Sequence, residues 1–159
     1  MTGPVASAAG NAAGATWVRY EYAVIRVVPR VERGEVLNAG VVLFCRARRF
    51  LGARIGMGEE REGAVLAIAP DLDLEQLRER LNIIPVICAG GPGSGPIGQL
   101  TIAERFHWLV APQSTVVQPG PVHTGICSDP ARALDDLYTD MLGPLAHCDP
   151  SGRGGVNVG

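Results

Sequence analysis

Residues 17–45 read WVRYEYAVIRVVPRVERGEVLNAGVVLFC, and this stretch decides the fold. Two runs rich in aromatic and β-branched residues flank a turn-forming PRVERG, the pattern of two antiparallel strands. In the first, Tyr20, Tyr22, Val24, Arg26 and Val28 alternate onto one face, and Ala23, Ile25 and Val27 onto the other. Arg26 is thereby bracketed by apolar neighbours. In the second, strict alternation puts Val36, Asn38, Gly40, Val42 and Phe44 on one face. A glycine inside a strand marks a bulge or a close backbone approach. RFLGARI, after the tight RARR turn, adds a third strand, so the first three form an antiparallel meander.

Helical signals follow. In PDLDLEQLRERLNIIPVICAGG, Asp73 and Gln76 approximate a capping box, and Leu74, Leu77, Leu81 and Ile84 recur on one face. Pro85 is expected to kink or end that helix. TIAERFHWL opens with Thr101 and Glu104 at capping-box spacing and predicts a short helix. STVVQPGPVHTGIC reads as extended and is broken by Pro119 and Pro121. DPARALDDLYTDMLG carries the clearest helix signal: Asp129 caps, Pro130 occupies the first turn, and Leu134, Leu137, Tyr138 and Met141 form a stripe. Strands first, then helices, with extended segments returning late, imply an α+β domain. The expected architecture is a single antiparallel sheet packed on one face by the two longer helices. Residues 1–16 and 149–159 are small and polar and are expected to be disordered tails, leaving 17–148 as one domain.

Composition narrows the function. The chain has 159 residues, 47% hydrophobic and 19% charged, with a net charge of −2. That balance gives no general attraction to nucleic acid or acidic membranes. The Arg46, Arg48, Arg49 and Arg54 cluster reads as a solvated turn. All 14 basic residues are Arg. Without lysine there is no Walker-type phosphate loop and no Schiff base, and any anion site must be an Arg site. The Gly-rich loop at 90–98 lacks the GK[ST] ending and reads as a flexible connector. Cys45, Cys88, Cys127 and Cys148 show no CxxC pair, so reduced thiols in a cytoplasmic protein are expected. His123 and Cys127 form one weak pair at metal-ligand spacing, and no metal site or cofactor is predicted. No apolar run is long enough to span a membrane.

The candidate site gathers around the opening stretch. A guanidinium on an apolar strand face is costly unless an anion accompanies it, and Asn38 stands on a similar face. If PVHTG folds back near this hairpin, His123 and Thr124 add donors. Arg33 and Ser114 complete the predicted ligand-binding set of Arg26, Arg33, Asn38, Ser114, His123 and Thr124. A hairpin in which Glu35 pairs an Arg and Asn38 satisfies a bulge at Gly40 accounts for the same residues without any ligand. For nucleophilic catalysis the candidates are Ser114 beside His123 as base, with Glu35 orienting it.

YEYAVIRVVPRVERGEVLNAGVVLF, ERFHWLVAPQSTVVQPGPVHTG and DPARALDDLY, in this order, resemble the bacterial family catalogued as domain of unknown function 3037. The resemblance covers most of residues 17–143. It highlights Arg33, Gly34, Glu35, Asn38, Gly40 and Val41, then Ser114, Thr115, Pro121, His123, Thr124 and Gly125. Gln113 stands where the family often has Arg, and Gly120 where Ser is common. The resemblance implies no reaction, but it suggests a protein partner such as a kinase-like protein. The expected function is therefore a cytoplasmic binding or accessory module that docks a protein partner or an anionic small molecule. The alternative is a small metal-independent hydrolase or phosphate-ester enzyme using His123, Ser114 and Glu35.

Overall fold

β1 (Val18–Val27) is the longest strand, and the sheet is built around it. The hairpin read from the sequence is present: β2 (Leu37–Cys45) pairs antiparallel with β1, and β3 (Phe50–Ile55) pairs antiparallel with β2. The other edge of β1 is shared by two short strands. β4 (Val117–Pro119) pairs with Ile25 to Val27, and β5 (His123–Cys127) pairs with Val18 to Tyr22. Among the described residues all pairings are antiparallel, in one five-stranded sheet. The computed structural model describes residues 16–143. The tail expected at 149–159, and all but the last residue of that expected at 1–16, lie outside the described residues.

Among the described residues four α-helices complete the α+β fold: α1 (Glu59–Ile68), α2 (Leu74–Ala89), α3 (Ile102–Leu109) and α4 (Pro130–Leu142). The two longer helices do not share one face of the sheet, which corrects the expected packing. Ala23, Ile25, Val27, Val42 and Phe44 pack with Leu77, Leu81, Ile84 and Phe106 on the first face. Val41, Leu43 and Cys45 pack with Leu134 of α4 on the second. The reason lies in β2, where Val41 to Cys45 are consecutive and all at most 2% exposed. An unbroken apolar run points side chains to both sides and must be covered on both.

α2 runs through Pro85 to Ala89 rather than ending there. Buried Ile84, Ile87 and Cys88 hold its last turn against the core. The Arg105 guanidinium, itself buried, donates to the carbonyls of Ile87 and Cys88 at 2.9 and 2.7 Å, satisfying helix-end acceptors. The Gly-rich segment that follows is an ordered turn: Ser94 is buried, and its hydroxyl donates to the Gly91 carbonyl. α1 has no counterpart in the sequence reading. It carries a glycine, Gly63, at its centre, only Val65 is buried, and it offers no apolar stripe. α4 is fixed to β3 by Arg54, which pairs with Asp135 and lies 4.5 Å over the Tyr138 ring. Among the described residues no helix is long and apolar enough to cross a membrane.

Candidate functional site

One extra residue in β2 decides where the polar groups point. Ile25 pairs with Gly40 and Arg26 with Asn38, so Ala39 is unpaired and forms a bulge. Ala39 is fully buried in the core of the first face. Strict alternation would have sent Asn38 to that face with Gly40 and Val42. The bulge rotates it to the α4 face instead, onto the side where Arg26 points. Gly40 allows this because β3 runs close by: a Cβ there would lie 2.6 Å from the Arg54 carbonyl oxygen.

Arg26 also pairs with Gln118 of β4. Asn38, Arg26 and Gln118 therefore form a polar row across three adjacent strands, on a face otherwise carrying Tyr20, Tyr22, Val41 and Leu43. The two outer members are engaged. Asn38 donates through Nδ2 to the Met141 carbonyl at the end of α4, at 3.0 Å. Arg61 donates to the carbonyls of Asn38 and Gly143, both at 2.9 Å, tying α1 to the same helix end. Gln118 donates to the Thr115 carbonyl at 2.8 Å.

Arg26 is different. Among the described residues its Nε is buried without a hydrogen-bond partner, and no carboxylate pairs with its guanidinium. Gly120, buried between β4 and β5, lies against the guanidinium: a Cβ there would be 3.2 Å from Cζ and 3.3 Å from Nε. Sequence reasoning identified Arg26 and Asn38 but missed Gln118 and Gly120. Gln118 was detectable in principle, as the polar residue between Val117 and Pro119 in an extended run. The closeness of Gly120 had no local signal.

The other expected ligand residues lie elsewhere. Arg33 sits in the exposed connector after β1, where its Nε pairs with Glu35 at 2.8 Å, the hairpin chemistry that needs no ligand. His123 faces the α4 side but pairs with Tyr22, its ring tilted at 36° to the tyrosine ring with centroids 5.4 Å apart. It is four positions along β1 from Arg26, about 13 Å at strand spacing. Thr124 pairs with Glu21, opposite Phe44, and so belongs to the first face. Ser114 is exposed in the loop before β4, beyond the Val28–Val116 backbone bond at the far end of β1. Ser114 and Glu35 are thus both at one end of β1 and His123 is toward the other, roughly 15–20 Å apart by strand rise.

His123 and Cys127 lie at the two ends of β5, again about 13 Å apart, too far to share an ion. Among the described residues no group of three His, Cys, Asp or Glu side chains is placed to hold a metal. Cys45, Cys88 and Cys127 are buried free thiols. Burial pushes the Cys88 thiol up to about 12, against a small opposing pull from Arg105. Cys127 is raised as well, first by burial. Neither is activated as a nucleophile.

A protein family described as "Protein of unknown function (DUF3037)" matches residues 22–142, well over half of the chain. The matched span includes the whole polar row and α4. No curated protein matches, and no solved structure matches.

Proposed function

We propose a binding function, on the premise that this chain belongs to the DUF3037 family, whose description assigns no activity. The domain is a binding module that captures an anionic group, a carboxylate or a phosphate, on the Arg26 guanidinium. The group is presented by a protein partner or belongs to an anionic small molecule. One observation carries this reading: Arg26 is a half-exposed guanidinium on a sheet face rich in apolar residues, and among the described residues it has no carboxylate partner and its buried Nε has no acceptor. A buried donor left unsatisfied costs about 1–3 kcal/mol, and guanidinium hydrogen bonds to anions are among the strongest a protein makes. Asn38 and Gln118 orient the site by holding α4 and the β4 loop on either side of Arg26.

The separation of His123 from Ser114 and Glu35 favours binding over the hydrolase alternative, because a base must lie within hydrogen-bond reach of its nucleophile.

The test is an NMR titration of the 15N-labelled full chain with inorganic phosphate and, separately, succinate at constant ionic strength. The Arg26 Nε–H resonance is expected to shift saturably with at least one of them. Gly120→Ser, which places a hydroxyl beside the same nitrogen, is expected to weaken the response. A resonance that ignores both anions while the exposed Arg33 responds would defeat the proposal.

A further inference from the structure

A recess lies on the face of this sheet edge opposite to Arg26. It is a cavity of about 190 Å³ between α2, α3 and β4. Ile25, Ile84 and Leu109 form its buried floor, Val117 and Pro119 one wall, and Trp108 and Ile83 its open lips. Trp108 is 45% exposed and Ile83 43%. Arg80 stands at the rim, exposed, and makes no ion pair among the described residues. Its neighbour Arg78, by contrast, is bound to Glu62 at 2.7 Å.

We infer that this groove docks a short segment of a partner protein carrying one large apolar side chain beside an Asp or Glu. The volume suits one such side chain, and the lining is apolar. Among the described residues that line the groove the only charged one is Arg80, which fixes the sign of the flanking residue. Trp and Arg are also the residue types that most often anchor interfaces. The segment docks through side chains and not by adding a strand. β4 is a guarded edge, because Pro119 has no N–H and the Val117 carbonyl already accepts from the Thr115 hydroxyl at 2.8 Å. This inference is independent of Arg26, whose side chain points to the other face.

The experiment selects a random 12-residue peptide library displayed on phage against the immobilised full chain, with Trp108→Ala as counter-selection. Enriched peptides are expected to carry Leu, Ile, Phe or Trp within two positions of Asp or Glu. Arg80→Gln, which sits on an exposed rim and leaves the core intact, is expected to weaken their binding about tenfold, while Arg26→Met leaves it unchanged. Three results overturn the inference. One is no enrichment over the Trp108→Ala control, and another is enriched peptides that bind Arg80→Gln as well as wild type. The third is a concentration-dependent dimer abolished by Trp108→Ala, which would assign the groove to a second copy of this chain.

Discussion

Replacing Arg26 with Met separates a functional guanidinium from a structural one. Met keeps an unbranched apolar stem in the place of the arginine methylenes. It also removes the buried Nε–H that has no partner. An unsatisfied buried donor costs about 1–3 kcal/mol. Against this stands the lost hydration of the outer guanidinium nitrogens, since Arg26 is only half-buried. The balance is a gain of about 1 kcal/mol for the ligand-free variant, or roughly 2–4 °C in Tm for a chain of this size. Anion reverses the order. At one hundred times its Kd, a ligand that binds only the folded state adds about 2.7 kcal/mol to wild type and nothing to the variant. Urea unfolding at constant ionic strength, with and without phosphate or succinate, should therefore give curves that exchange rank. A variant destabilised by more than about 2 kcal/mol without anion would mean that Arg26 is held by the protein itself. Equal stabilisation of both proteins by anion would place the site elsewhere. Either result refutes the reasoning.

Asn38→Ala leaves the Met141 carbonyl without its donor and is expected to cost about 1–2 kcal/mol in urea unfolding. Arg61→Ala removes one bond to the Gly143 carbonyl at the same helix end and one to the Asn38 carbonyl on β2, so a double-mutant cycle should show the pair coupled by at least about 0.5 kcal/mol. Gly40→Ala drives a methyl to 2.6 Å from the Arg54 carbonyl oxygen and 2.5 Å from Ile55 Cδ1. Backbone on the paired strand cannot yield cheaply, so a loss of about 3 kcal/mol or more is expected, read as a lower urea midpoint at unchanged slope. Cys88 gives a pH signature. Its thiol is raised from 9.0 to about 12 in the folded chain, so above pH 9 the unfolded state releases a proton that the folded state keeps. Stability should fall from about pH 9 upward by up to about 1.4 kcal/mol per pH unit, and Cys88→Ala should flatten that slope relative to wild type.

Local chemistry was legible where residues act on their own neighbours. The capping of α4 by Asp129, the capping box of Thr101 and Glu104, and the β1–β2–β3 meander are all found as the sequence implies. Non-local features were not. α2 continues past Pro85 because Arg105, from another helix, takes its last carbonyls, and nothing within α2 records that. α4 crosses to the opposite face because Val41 to Cys45 need cover on both sides. The apolar run itself contains that information, because five consecutive apolar residues in a strand point to both sides of the sheet.

The candidate site divides along the same line. Alternation correctly marked Arg26 as a charge among apolar neighbours, because that judgement needs one strand only. Grouping it with His123 required knowing the register of a strand about one hundred positions away, and the register places His123 opposite Tyr22 instead. Asn38 joined Arg26 through a bulge that shifts parity by one. Gly40 hinted at that bulge, but the unpaired residue is Ala39, which carries no sequence mark of its own. A single unpaired alanine thus decides whether the amide caps α4 beside the guanidinium or points into the opposite core. With one amide donor of Asn38 spent on the Met141 carbonyl and one of Gln118 on that of Thr115, most of the row's remaining donor capacity, and all of its charge, lies on Arg26. That concentration makes one guanidinium, and not a constellation of six residues, the point at which binding is to be sought.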